Sequence, residues 1–275
     1  GRLAPRPAAG ALAEIVQGKE IRNADVSEKV AFFEAFGMLA DDEGVAILDR
    51  LLNSKRFLGK REPSAIRAVA ALGLGALFHD IGKQRVDYDV INKAGGLTDD
   101  EWAQLKEHTT EGLLLLFGMH GFADTPYRQM LMAYEHHMKI DLTGYPSNKR
   151  PREPTLFSRI VAVADAFDAG TSVRSYQYKP WSPDAVLKEM RDNPKRGQDV
   201  LLVKALITAT GVYPVGTLVI LDTRELGVVA QVNSDLSLLH RPTIRLISDP
   251  QGRPLARPVT VDLSRSEDRK STRLN

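Results

Sequence analysis

The segment FHDIGK, residues 78 to 83, places a histidine and an aspartate side by side at the end of an apolar run. Imidazole nitrogens and carboxylate oxygens both bind divalent metals such as iron, manganese and zinc. Lys83 follows one turn later, where its ammonium group can reach a phosphate oxygen. His79 and Asp80 are therefore candidate metal ligands, and Lys83 is a candidate contact for a phosphorylated substrate.

Further candidate ligands follow in predicted helices. Five of the six histidines fall between residues 79 and 137, and two of them, His136 and His137, are adjacent. Asp165 stands four residues after Val161, on the inward stripe of a predicted helix, where an unpaired carboxylate would be very costly. The candidate metal ligands are His79, Asp80, His108, His136, His137 and Asp165.

Several of these residues have an ordinary alternative role. A single histidine at a helix end, such as His108, is more often a capping or surface residue than a ligand. His120 and His240 are assigned to that ordinary role, and Asp168 suits an ion pair or a hydrogen bond at least as well as a metal. The order HD, H, HH and D is more specific than any of its members, because ligands from distant positions must converge on one ion.

The whole set consists of imidazole nitrogen and carboxylate oxygen donors. An all-nitrogen and oxygen set suits iron, manganese or zinc, and its carboxylates can bridge two ions. Paired metals activate a hydroxide and stabilise charge on a phosphoryl group. The residues alone therefore indicate a metal-dependent phosphohydrolase.

The elements that must position these residues are predicted to be helices. Apolar residues recur at helical spacing between residues 26 and 75. Thr98 and Glu101 form a capping box, which predicts a single helix with Trp102 on its apolar face and His108 one step from that face. Further helices are predicted to begin at Pro126, at Thr155 or Ser158, at Pro183 and at Leu201.

After Gly211 the hydrophobic period changes to that of β-strands. Four short runs, GTLVILD, LGVVAQVNS, PTIRLIS and VTVDLS, are separated by turn residues. They are too few for a large sandwich and predict a small barrel or sheet of about 50 residues. The predicted fold class is mainly α, with a helical bundle followed by a small β-barrel or sheet.

The bulk composition excludes several classes of protein. The 275 residues include no cysteine, which excludes disulfides, thiolate metal sites and cysteine nucleophiles. A net charge of +2 offers no broad basic field for a nucleic acid polymer. The longest apolar stretch, GLLLLFGM, is too short to span a bilayer, and no signal-peptide pattern opens the chain. We therefore expect a cytoplasmic protein with no membrane partner.

The motifs also occur in a known order. HDIGK, a later histidine, HH, the tripeptide Gly144-Tyr145-Pro146 and DAFDA together resemble the HD-GYP phosphodiesterases, a branch of the HD superfamily. The resemblance covers residues 75–211, the predicted HD-GYP domain. Residues 20–74 resemble HEAT-type helical repeats, and residues 212–264 resemble the small β domain that often follows such modules. Residues 1–19 and 265–275 are predicted to be disordered.

The resemblance implies a helical bundle that holds two or three divalent metals, iron or manganese above all. The implied reaction is hydrolysis of cyclic di-GMP to linear pGpG or to GMP. The six candidate ligands match the family's ligands, with Asp80 as the bridging, catalytic carboxylate and Lys83 as a catalytic phosphate contact. Tyr145 would contact substrate, and Arg159 would contact phosphate or form an ordinary salt bridge.

Two partner surfaces are implied as well. In the family that the chain resembles, the loop matching Gly144, Tyr145 and Pro146 is implicated in contact with GGDEF-domain cyclases, and the HEAT-like segment would bind another protein.

The chain departs from the family pattern at two places. No histidine precedes His79, whereas the family has a further histidine, or a glutamate and a histidine, on upstream helices. Loss of a ligand weakens a metal site severely, so a catalytically impaired scaffold or binding module is the alternative function. A third possibility keeps the metal chemistry with another phosphodiester as substrate. Leu142 stands where the family commonly has glycine, which costs loop freedom.

Overall fold

The fold was taken from a computed structural model, which describes residues 13–18, 20–23, 29, 42–53, 64–120, 127–148, 151–173, 179–265 and 272–273. Over these residues the chain is mainly helical and ends in a small sheet, which confirms the predicted fold class. The chain divides into two compact units, Gly1–Ala162 and Val163–Asn275. The domain boundaries proposed from the sequence stay predictions, and most residues of the two termini expected to be disordered lie outside the described part.

The helices of eight residues or more are α1 Asp42–Asn53, α2 Ser64–Phe78, α3 Asp99–Lys106, α4 His108–His120, α5 Tyr127–Glu135, α6 Leu156–Thr171, α7 Pro183–Asp192 and α8 Val200–Thr210. Shorter helical turns are Glu20–Asn23, Ile81–Arg85, Tyr88–Ile91, Pro194–Arg196 and Leu236–Leu238. Among these residues, no helix combines the length and apolar character needed to cross a bilayer.

Helix α2 is the centre of the first unit. Its residues 69–76 are all buried, as expected of a helix that is apolar on every side. Val69, Ala70 and Leu74 pack against residues of α1 such as Leu48 and Leu51. The other side, through Leu72 and Ala76, joins a cluster with Met132 of α5 and Val161 of α6. This packing fixes the end of α2, where the HD pair begins.

The HEAT-like segment stays a prediction. The helix expected over residues 26–40 lies outside the described residues, apart from residue 29. The described part of this segment contains the packed pair α1 and α2, which is equally compatible with an ordinary helical subdomain.

The capping box is confirmed, but the single long helix predicted to follow it is wrong. Thr98 Oγ1 accepts from the Glu101 amide, and the Glu101 carboxylate accepts from the Thr98 amide, at 3.3 and 2.7 Å. Helix α3 then closes in a tight turn, in which the Glu107 amide donates to the Gln104 carbonyl at 3.2 Å. Helix α4 restarts at His108, so the two segments carry different faces. Trp102 is consequently 43% exposed instead of facing the core, and His108 is buried.

The second unit ends in an antiparallel sheet. Its strands are β1 Leu218–Leu221, β2 Leu226–Gln231, β3 Thr243–Ser248, β4 Pro254–Asp262 and β5 Thr272–Arg273, in the order β4-β3-β2-β1-β5. The four predicted runs correspond to β1 to β4. One face is buried around Val219, Val229 and Ile244, and the alternation of buried and more exposed residues in β1 and β3 is that of a one-sided sheet.

Candidate metal centre

The HD pair lies in the turn that ends α2. Helix α2 stops at Phe78, and a 3₁₀ turn, Ile81–Arg85, follows directly after Asp80. Gly82 in this turn touches α4, since a Cβ there would lie 1.9 Å from the His108 carbonyl oxygen. Only glycine permits so close an approach of two backbones. This contact brings Asp80 beside the first residue of α4.

The two adjacent histidines follow the last residue of α5. Helix α5 ends at Glu135, and the His136 amide still donates to the Met132 carbonyl at 3.1 Å. His136 therefore continues the helical path for one residue and is 2% exposed, whereas His137 is only partly buried. The two rings diverge from one short turn, with centroids 4.1 Å apart.

Four of the candidate ligands meet. Asp80, His108, His136 and His137 each offer one ligand atom within 4.8 Å of the others. Asp80 Oδ1 lies 3.4 Å from His108 Nε2 and 3.6 Å from His136 Nε2. His79 approaches the other oxygen, with its Nε2 atom 3.5 Å from Asp80 Oδ2. Residues separated by more than 50 positions are thus joined around one carboxylate.

The tautomers of three rings are set by the main chain. Nδ1 of His79 lies 2.7 Å from the Ala76 carbonyl, and Nδ1 of His108 lies 2.6 Å from the Leu105 carbonyl. Nδ1 of His136 lies 3.0 Å from the Ala133 carbonyl. A carbonyl only accepts, so each Nδ1 carries a hydrogen, and in its neutral form each ring would present the lone pair of Nε2. Second partners of this kind are usual for metal-binding histidines.

The charge states match this arrangement. Burial lowers the pKa of His108 to about 4, so its ring is neutral at pH 7. Burial alone would raise the pKa of Asp80, but the neighbouring His136, His79 and Lys83 outweigh burial and hold that pKa well below its usual range. Lone pairs of imidazole and carboxylate therefore converge at one point. Lone pairs that face one another repel, and a divalent cation between them would turn this repulsion into attraction. The donor set therefore fits such a cation.

Lys83 is tied to the same carboxylate. Its Nζ atom donates to Asp80 Oδ2 from one turn further along, and both side chains are 30% exposed. The ammonium group therefore lies at the rim of the cluster, where it is accessible to a substrate.

Asp165 and Arg159 are carried by α6. Val161 on this helix is part of the buried cluster with Ala76 and Met132, and Asp165 follows one turn later and is half-buried. Their roles as ligand and phosphate contact stay predictions. Asp168 is exposed and accepts from Ser172 Oγ at 3.3 Å, in keeping with a hydrogen-bonding role.

The GYP loop folds back onto the histidine turn. The Tyr145 amide donates to the His137 carbonyl at 3.3 Å, and the Tyr145 ring lies 4.6 Å from the His137 ring. Gly144 has φ +89°, and a Cβ there would lie 2.4 Å from the His137 carbonyl oxygen. Leu142 has φ +65°, which explains why glycine suits that position.

The sequence does not indicate the positions of two residues near the cluster. Trp102 packs edge-on against Tyr145, with ring centroids 5.8 Å apart. Glu135 is completely buried directly before His136, and its carboxylate bonds to Arg152, Thr155 and Ser158. A glutamate at the end of a helix gives no sign of burial in the sequence. The exposure of Trp102 depends on the helix break at Glu107, which no local pattern indicates.

These features define a helical domain built around a candidate metal site of histidine and aspartate side chains. The family model described as "HD domain" matches residues 46–199, more than half of the 275 residues. The chain belongs to the HD domain family. The match begins within the segment that the sequence analysis assigned to HEAT-like helices.

Several characterised proteins are similar to this chain. It is 34% identical to cyclic di-GMP phosphodiesterase PA4108 of Pseudomonas aeruginosa, over 72% of the chain and 46% of that protein. It is 33% identical to the cyclic di-GMP phosphodiesterase response regulator RpfG of Xanthomonas campestris, over 59% of the chain and 42% of that protein. It is also 33% identical to 3'3'-cGAMP-specific phosphodiesterase 3 of Vibrio cholerae, over 50% and 29%. The chain thus spans less than half the length of these relatives.

Among solved structures, Bd1817, an HDG"Y"P protein from Bdellovibrio bacteriovorus, is similar in part. It is 16% identical, with a TM-score of 0.44, over 74% of this chain and 62% of that one.

Proposed function

We propose that this chain is a metal-dependent phosphodiesterase that hydrolyses cyclic di-GMP to linear pGpG or GMP. The observation that carries the proposal is the convergence of the Nε2 atoms of His108 and His136 on Asp80 Oδ1, at 3.4 and 3.6 Å. The names of the relatives, which act on cyclic di-GMP or 3'3'-cGAMP, support a cyclic dinucleotide as the substrate class.

Two or three divalent metals, iron or manganese above all, fit the nitrogen and oxygen donors. Asp80 would bridge two ions, with His79 beside one carboxylate oxygen and the rings of His108 and His136 beside the other. His137 belongs to the same group of candidate ligands. Asp165 would complete the set from α6. Such ions supply an activated water and neutralise charge on a phosphoryl group.

The residues of the chain then bind and orient the substrate. Lys83 would exchange its bond to Asp80 for a phosphate oxygen, and Arg159 would contact phosphate from α6. Tyr145 and the exposed Trp102 would offer ring faces to a nucleobase. The buried His108 and His136 rings would hold the reacting phosphate away from bulk water.

The second candidate function is a scaffold with impaired catalysis. The observation that favours it is the absence of any histidine before His79. In this case the GYP loop would contact a GGDEF-domain protein, and the HEAT-like segment would contact another protein. A cytoplasmic location is proposed with either function.

Metal content per purified chain separates the two functions. We expect two or more iron or manganese ions per chain, and we expect them to be lost in Asp80→Asn and kept in Asp89→Asn, which changes an exposed aspartate nearby. The same three proteins are then assayed with cyclic di-GMP and with 3'3'-cGAMP. A wild-type chain with no metal sensitive to Asp80→Asn would exclude the enzyme and leave the scaffold.

A further inference from the structure

We propose that Glu135 is a positioning residue, whose buried carboxylate fixes the His136-His137 turn against the first turn of α6. This inference rests on the metal centre proposed above and adds a residue outside the ligand set. Glu135 has 0% exposure, and it immediately precedes the two histidines.

The carboxylate of Glu135 is fully partnered. Oε1 accepts from the Arg152 guanidinium, and Oε2 accepts from the Thr155 amide and the Ser158 hydroxyl, both at 2.8 Å. A buried carboxylate is tolerated only when charge and hydrogen bonds compensate it. Arg152, whose side chain is 48% exposed, forms an ion pair with Glu135. The compensating charge for the buried carboxylate therefore comes from Arg152 and not from the histidines.

The bonds of Glu135 join two helices that carry candidate ligands. Its main-chain carbonyl also accepts from the Met138 amide at 2.7 Å, which closes the turn containing both histidines. At the other end, Thr155 and Ser158 form the start of α6, where their hydroxyl groups lie 2.8 Å apart. A carboxylate at a helix start also interacts favourably with the helix dipole. One side chain thus connects the His136 turn to the first turn of α6, the helix that carries Asp165.

An ordinary buried ion pair would stabilise the fold without affecting the metal site. The two roles differ in what a variant changes at a temperature where the protein remains folded. A positioning role predicts altered metal affinity and altered ligand geometry, since residues that orient metal ligands typically contribute about 10- to 100-fold in affinity. A structural role predicts only a lower melting temperature.

The test compares Glu135→Leu with Glu135→Gln. Glutamine keeps one acceptor oxygen for Thr155 and Ser158, and it loses both the charge and the acceptor opposite Arg152. Leucine has a similar volume and removes both carboxylate oxygens, so no side-chain acceptor remains. Each protein is titrated with Co²⁺, and its affinity and visible absorption are recorded where circular dichroism shows a folded chain. We expect about 10- to 100-fold weaker binding and a changed spectrum for leucine, and values within about threefold of wild type for glutamine.

A second readout is independent of metal. In the metal-free protein, imidazole ¹⁵N spectra report whether His136 stays in the Nδ1–H form that its bond to the Ala133 carbonyl requires. We expect this signal in wild type and Glu135→Gln, and its loss or averaging in Glu135→Leu; should leucine not fold, Ser158→Ala replaces it. Unchanged Co²⁺ affinity and an unchanged His136 signal would overturn the proposal. A wild type that binds no metal would overturn the proposed function instead, and the His136 signal would still decide the role of Glu135.

Discussion

The Nε2 atoms of His108 and His136 lie 3.3 Å apart, while Nδ1 of each ring is held by a main-chain carbonyl. With a hydrogen on each Nδ1 atom, the Nε2 atoms of both rings face each other and Asp80. The main-chain carbonyls have therefore fixed two buried rings in an arrangement that a shared cation would stabilise.

The buried His108 makes the metal-free protein sensitive to acid. Its pKa is lowered to about 4 from the ordinary value of 6.5. Between pH 4 and pH 6.5 the His108 ring therefore binds a proton in the unfolded chain and not in the folded chain. Above pH 6.5 the neutral ring costs the folded protein no stability. The free energy of unfolding then decreases as the pH falls from 6.5 to 4. With chelator present, the free energy of unfolding should drop by about 2 kcal/mol from pH 7 to pH 5.

Urea unfolding measures this drop in wild type and in His108→Gln, which cannot titrate. The variant should lose less stability over the same interval. An equal loss in both proteins would assign the acid sensitivity to other groups.

Gly82 should tolerate no side chain. A Cβ there would lie 1.9 Å from the His108 carbonyl oxygen and 2.4 Å from the Gly112 amide, so Gly82→Ala must push the HD turn away from α4. We expect a loss of about 2 kcal/mol in unfolding free energy and loss of bound metal. Gly96→Ala is the matched control, because no atom lies within 4 Å of its Cβ position. Equal stability and metal content for both variants would contradict the packing described.

Leu142 adopts a left-handed conformation at φ +65° and is 53% exposed. Asparagine tolerates this conformation better than leucine, so Leu142→Asn should stabilise the protein by about 1 kcal/mol. Leu142→Ala removes the same exposed surface without the conformational gain and should change stability much less. Thermal unfolding of the three proteins measures the difference, and a Leu142→Asn protein no more stable than Leu142→Ala would count against a strained loop.

Trp102 should affect substrate binding and not metal binding. It is 43% exposed and touches Tyr145 at the edge of the cluster without contributing a metal-binding atom. With cyclic di-GMP, Trp102→Ala should raise KM by about 10-fold through loss of base stacking and leave metal content unchanged. Trp181→Ala removes a comparably exposed tryptophan of the other unit as the control. A change in kcat with constant KM would instead assign Trp102 to holding the loop.

The sequence determined the elements and the chemistry of this protein. Local signals have local causes: the Thr98–Glu101 capping box and the alternation in β1 and β3 depend on neighbouring residues, and both appear where predicted. Motif order likewise selected Asp80, His108, His136 and His137, which the fold brings together.

Only the tertiary structure decided which groups are buried and what they contact. The break at Glu107 accompanies the burial of His108 and the exposure of Trp102, and the first turn of α4 packs against the turn at Gly82, a contact between residues distant in sequence. From the sequence, Glu135 is expected to face solvent. In the fold its carboxylate is buried and accepts hydrogen bonds from Arg152, Thr155 and Ser158, which belong to a later segment. Burial and hydrogen bonding between distant segments depend on the whole fold, so no local pattern records them.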